Sequence, residues 1–160
     1  MKTTKKTVKS SPKRLSIAAP RKEEAGYDKD FFKWVDTQVN LLKKGKLEKL
    51  DVKNLIEEIE SLGKRERSAL RSQITNWLMH MLKVKYQPEK RTRSWDISIA
   101  NARVEIEWAL KDSPSLNHMM KDIFNESYKA ARLKAASQTK LDIEVFPKEC
   151  LWKITDILSE

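Results

Sequence analysis

From about residue 28 onward, apolar residues return at steps of three and four, and each such run stops at a glycine or a proline. The first run predicts a helix from Asp28 or Lys29 to Lys44. Asp28 is placed to cap it, Phe31, Val35, Leu41 and Leu42 lie towards one side, and Gly45 supplies the stop. A second, short helix opens at Asp51 and closes before Gly63; Val52, Leu55, Ile56, Ile59 and Leu62 fall within about 120° of one another at 100° per residue. A third runs from Lys64 to Lys85 on Leu70, Ile74, Trp77, Leu78 and Met81, ended by Gln87-Pro88. Ser94 is a good cap for a fourth helix reaching Lys111. Ser113-Pro114 then opens a fifth, whose inward face is Leu116, Met119, Met120, Ile123, Ser127 and Ala130. After Thr139 comes the connector LDIEVF, and Pro147 opens a last short helix with Trp152, Ile154, Ile157 and Leu158. No Asn-Gly or Asp-Gly hairpin signal, no sustained alternation and no internal repeat is present. The pattern predicts an all-α fold: a compact five- to six-helix bundle forming a single domain over 27–160.

The fourth helix carries apolar residues on two sides. Its core stripe is Trp95, Ile99, Ala102, Ile106, Ala109 and Leu110, yet Ile97, Val104 and Trp108 gather opposite, where a surface helix is polar. Two readings follow. Either the helix is buried centrally, or its second face meets a protein partner or another copy of the chain.

Charge changes the picture at one end. The 160 residues carry a formal net charge of +10, but residues 1–26 hold eight basic residues and only two acids, a net of +6. The excess is mainly a property of this Lys-rich segment, which reads as a disordered tail drawn to polyanions. Its composition also suits a transit peptide, although its cations are mostly lysine rather than arginine. The apolar patch at 15–19 is too short for a secretory signal, and no run approaches the roughly 18 residues of a membrane span. A single cysteine, Cys150, cannot form an internal bridge and points to a reducing, cytoplasmic setting.

Several stretches together resemble a known family. YDKDFFKWVDTQ at 27–38, LDVKNLIEEIESLGKRE at 50–66, LMHMLKVKYQPEKRTRSW at 78–95, DSPSL at 112–116 and FPKECLW at 146–152 occur in this order and at these spacings. They resemble an uncharacterised bacterial family, domain of unknown function twenty-nine, over residues 27 to about 158. The resemblance implies an all-helical domain with no established activity, cofactor or catalytic residue. The chain departs from the family at Leu151, where a proline usually follows the cysteine, and in its Lys-rich extension.

The candidate chemistry therefore rests on the residues alone. The joint between the third and fourth helices holds Lys83, Lys85, Lys90, Arg91 and Arg93 with Tyr86 and Trp95 interleaved, the ingredients of nucleic-acid or anion binding. The plainer reading is a solvated joint whose cations complement a helix C-terminus and whose aromatics clasp the loop onto the core. Glu58, His80 and Glu105 form a conceivable metal set, but neither histidine stands three residues after a glutamate, the spacing of di-metal bundles. Glu58 is otherwise expected to be solvated, or paired with an arginine such as Arg65, Arg71 or Arg103. Cys150 lies beside a predicted helix start, which would lower its pKa, yet no local base accompanies it. There is no Gly-rich phosphate loop and no serine in an elbow setting.

These features lead to a non-enzymatic helical interaction module, without a cofactor, that binds a protein partner or a nucleic acid. The competing expectation is a small metal-dependent hydrolase or nuclease using Glu58, His80 and Glu105.

Overall fold

Five helices, α1 (Phe31–Lys43), α2 (Val52–Tyr86), α3 (Arg93–Asp112), α4 (Met120–Thr139) and α5 (Ile154–Leu158), follow one another in a computed structural model that describes residues 26–158. Among the described residues there is no β-strand. The Lys-rich segment 1–25 lies outside them, as does the reading of it as a disordered tail. The described chain divides into two compact units at Glu57/Glu58, within α2.

The first unit holds α1, a 3-10 turn at Leu47–Lys49 and the start of α2. Asp30, rather than Asp28, caps α1: its carboxylate accepts the Lys33 N–H at 3.0 Å, because the chain first makes a turn through 26–29. The stop at Gly45 is as expected. Its φ is +64°, and the Gly45 and Lys46 amides return to Leu42 and Leu41 carbonyls, a Schellman ending that glycine enters without strain. Asp51 ties the unit together. It accepts the Trp34 indole N–H at 3.0 Å, its own amide donates to Gln38 Oε1 at 2.9 Å, and its carboxylate faces the Asn54 amide at the opening of α2. Trp34 is the one buried apolar side chain described in this unit, packed edge-on against Tyr27 and stacked with Phe31.

The second unit begins inside α2. The second and third predicted helices are one element of 35 residues running straight through Gly63. A lone glycine in an exposed helix interior costs about 1 kcal/mol, too little to end a helix flanked by strong helix formers. Lys64 and Arg65 also pair back onto Glu60 and Glu58 across it. At 100° per residue Val52, Ile56 and Ile59 share the sequence phase of Leu70, Ile74 and Trp77, but Gly63, Glu66 and Arg67 interrupt the apolar stripe between them. The two stretches are covered differently. From Leu70 onward the stripe is buried, whereas Val52, Ile56, Ile59 and Leu62 are exposed.

The core of the second unit joins Leu70, Ile74, Trp77, Leu78 and Leu82 of α2 to Ala102 and Ile106 of α3, Ile123, Phe124 and Ala131 of α4, and Ile157 of α5. Three predicted boundaries shift. The residue before α3 is Thr92, not Ser94, because Pro88–Lys90 makes a 3-10 turn and Arg91 continues extended before the helix starts. Ser113 does not cap the next helix: its hydroxyl donates to Glu66 Oε2 at 2.9 Å, and a 3-10 stretch, Pro114–Met119, precedes α4. Pro147 opens no helix. Arg132 of α4 donates to the Phe146 and Ile143 carbonyls, and the Tyr128 hydroxyl donates to the Pro147 carbonyl at 2.8 Å. The connector makes a 3-10 turn at Ile143–Val145, and α4 side chains take up the carbonyls of Ile143, Phe146 and Pro147. Only from Ile154 does a short helix form, with Asp156 reaching back to the Lys153 amide at 2.7 Å.

Candidate interaction surfaces

The joint between α2 and α3 turns one of its five cations inward. Lys83 is 8% exposed. Its ammonium donates to Gln138 Oε1 of α4 at 2.8 Å and stands 4.2 Å from the centre of the Trp95 ring, a cation–π contact. Burial lowers the lysine's pKa. His80, one turn earlier, lies with its ring 6.4 Å from Trp95. Its pKa is lowered first by burial and second by the Lys83 charge, and its Nδ1 is buried with no hydrogen-bond partner in the described protein. Gln87 closes the joint by donating to the Thr139 carbonyl at 3.2 Å, and Tyr86 packs edge-on against the buried Phe146.

Sorted this way, the six residues read as an anion grip separate into two groups. Lys83 and Trp95 face each other, so Trp95 is not an open stacking platform on that side, and Arg91 is paired with Asp96 at 2.7 Å. Lys85, Lys90 and Arg93 are exposed, and no carboxylate among the described residues is in ion-pair contact with them. Sequence reasoning missed Gln138, the acceptor that draws Lys83 in. The available signal was the position of Lys83, four residues from Met79 and three from His80 on a flank that is buried throughout.

The second candidate surface is the outer side of α3. Its inner side is buried through Ala102, Ile106 and Leu110, with Ile99 and Ala109 half-buried against the core. Ile97, Val104 and Trp108, aligned at steps of seven and four, are 49%, 39% and 59% exposed. This corrects the reading of α3 as a helix enclosed on all sides. Those three side chains stand in solvent, flanked by the exposed Glu105 and Glu107.

The acidic set does not assemble within the chain. Glu58 and His80 are 22 residues apart on one continuous helix, about 33 Å along its axis, far beyond a shared metal's reach. Glu58 instead meets Arg65 at 3.6 Å, and no group of three His, Cys, Asp or Glu side chains among the described residues is arranged to hold a metal ion. Arg71 reaches Glu126, and Arg103 donates to the Asp156 carbonyl. Cys150 does not stand at a helix start, and burial pushes its thiol pKa up rather than down, the opposite of an activated nucleophile. Two open grooves beside α2 and α4, one at Asn76, Met79 and Gln138 and one at Ser68, Thr75 and Lys134, are lined by amides, hydroxyls, apolar groups and cations. No described helix is long and apolar enough to cross a membrane.

No curated protein and no solved structure matches the chain. One family does, that described as Domain of unknown function DUF29, and it matches over residues 27–160. The match takes in both units and every stretch on which the resemblance rested, so this chain is a member of the DUF29 family.

Proposed function

We propose that the protein is a non-enzymatic helical interaction module whose working surface is the outer side of α3. The observation that carries this reading is the exposure of Ile97, Val104 and Trp108 in line on a helix whose opposite side packs on the core through Ala102, Ile106 and Leu110. An exposed tryptophan beside two β-branched side chains has the composition of an interface anchor, and such a stripe fits the apolar face of a partner helix. The partner is a protein, held by apolar contact and rimmed by Glu105 and Glu107. Replacing Trp108→Ala or Ile97→Asp removes the protein retained by the wild-type chain while leaving helicity unchanged. Retention by both variants contradicts the proposal.

A second reading has its own observation. Lys85, Lys90 and Arg93 stand free of carboxylates at the α2–α3 joint, and the first 26 residues add a net +6. These cations suit a polyanion such as a nucleic acid, contacted at its phosphates rather than by stacking on Trp95.

A further inference from the structure

Resting on the reading of α3 given above, we infer that the occupant of that surface is a basic amphipathic helix of another protein, its lysines or arginines meeting the C-terminal half of α3. Charge is unevenly spread around the exposed stripe. On a helical wheel centred on Trp108, Glu105 and Asp112 lie about 60° and 40° to one side, and no cation of α3 shares that side. The other side carries Glu107 with Lys111 and Arg93. From Val104 to Asp112 the helix therefore presents three carboxylates against one ammonium, in a chain whose net charge is +10. All three carboxylates are exposed, and among the described residues none of them has an ion-pair partner.

Their position runs against the helix itself. The C-terminal turn of a helix carries partial negative charge and favours cations, so carboxylates there repel it until a cation approaches. Trp108, one turn from both Glu105 and Asp112, is 59% exposed and offers an indole face to an arginine or lysine. Helix end, carboxylates and ring thus attract the same kind of group.

Area and register favour a short segment over a second copy. Ile97, Val104 and Trp108 leave on the order of 300 Å² of apolar surface in water, against about 800 Å² per partner in a stable interface. A stripe of about three turns suits one helix, with the charges beside it supplementing the apolar contact. A second copy laid antiparallel, Ile97 against Trp108, sets Glu105 and Glu107 beside Ser98 and Ala100 and leaves them uncompensated. A parallel copy sets Glu107 beside Asp112, acid against acid.

The test uses two labelled synthetic helical peptides with the same stripe of leucines, one flanked by lysines and one by glutamates, read by anisotropy against the full chain. Binding at α3 is the part that Trp108→Ala removes. The lysine-flanked peptide binds there, and the glutamate-flanked peptide binds there on the order of tenfold more weakly, although the chain as a whole attracts anions. Glu105→Lys combined with Asp112→Lys inverts the order with an unchanged helical spectrum, since both positions face solvent. Equal affinities, an order that the reversal leaves untouched, or no binding of the lysine-flanked peptide at hundreds of micromolar overturns the basic partner and leaves the α3 surface standing. Binding that Trp108→Ala leaves intact overturns the surface as well. A wild-type dimer in sedimentation that Trp108→Ala returns to monomer gives the stripe to a second copy and overturns the inference.

Discussion

Lys83 is the residue at which composition misleads most. Counted with its neighbours it makes a basic cluster; in place it is a buried cation held by a glutamine oxygen and an indole face. Its charge lowers the pKa of His80, which burial has already lowered. The sign of the consequence follows from linkage. A histidine whose folded pKa lies below its unfolded value of about 6.5 resists protonation in the fold, so stability is fully present above that value. It is lost as the pH falls through 6.5 towards the folded pKa. We expect thermal stability to decline between pH 7.5 and 5.5 in the wild type, and His80→Gln to flatten that decline. Lys83→Met keeps the packing on Trp95 and removes the second cause, so the His80 titration midpoint read by NMR moves up, though burial keeps it below an exposed histidine. An unmoved midpoint would mean that the ammonium does not act on the ring. None of this was legible beforehand, because whether a lysine on a helix flank turns out or in depends on what the neighbouring helices bring: here Gln138, 55 residues away.

At the scale of elements, periodicity identified the helices well and their ends poorly. The runs from Phe31, from Leu70, around Ala102 and Ile106 and from Met120 all form helices, because a stripe of apolar residues at 3.6-residue spacing has few other ways to be buried. Glycine and proline were weaker guides. Gly45 ends α1 because it adopts positive φ; Gly63 does not, and α2 passes through it. An alanine at Gly63 meets nothing within 4 Å, so Gly63→Ala is expected to raise stability by about 0.5–1 kcal/mol in denaturant unfolding. A loss of stability would show that the helix is interrupted there in solution. Pro147 misled for a different reason. The segment leading into it is held by Arg132 and Tyr128 reaching from α4, and tertiary hydrogen bonds of this kind leave no local signature. On α4 itself the inward face takes in Phe124, Tyr128, Ala131 and Ala135 beyond the predicted set, because the helix is packed on more than one side.

For the whole molecule, what stands out is where apolar surface is left in water. Among the described residues, nine of the sixteen large exposed apolar side chains lie between Phe31 and Leu62, and three more form the outer stripe of α3. Sequence patterning located both surfaces as stripes but gave no means of telling a covered stripe from a bare one; that depends on which helices pack where. The metal alternative was legible only as residue types, and the continuity of α2 separates Glu58 from His80. The basic surface makes its own prediction. Labelled single-stranded RNA read by anisotropy should bind the full chain with steep salt dependence. A chain starting at Gly26 should bind more weakly, and replacing Lys85, Lys90 and Arg93 by alanine should weaken it further. Binding insensitive to those three would assign the attraction to the Lys-rich segment alone.

The most direct measurement of the central claim is photo-cross-linking from position 104, with a benzophenone side chain in place of Val104 in intact cells. One discrete protein adduct is expected, lost when Trp108→Ala is added and kept when Ile59→Asp, an exposed change on α2, is added. An absence of adducts at 104, or an adduct indifferent to Trp108→Ala, would contradict the assignment of the outer side of α3 as the surface through which this protein works.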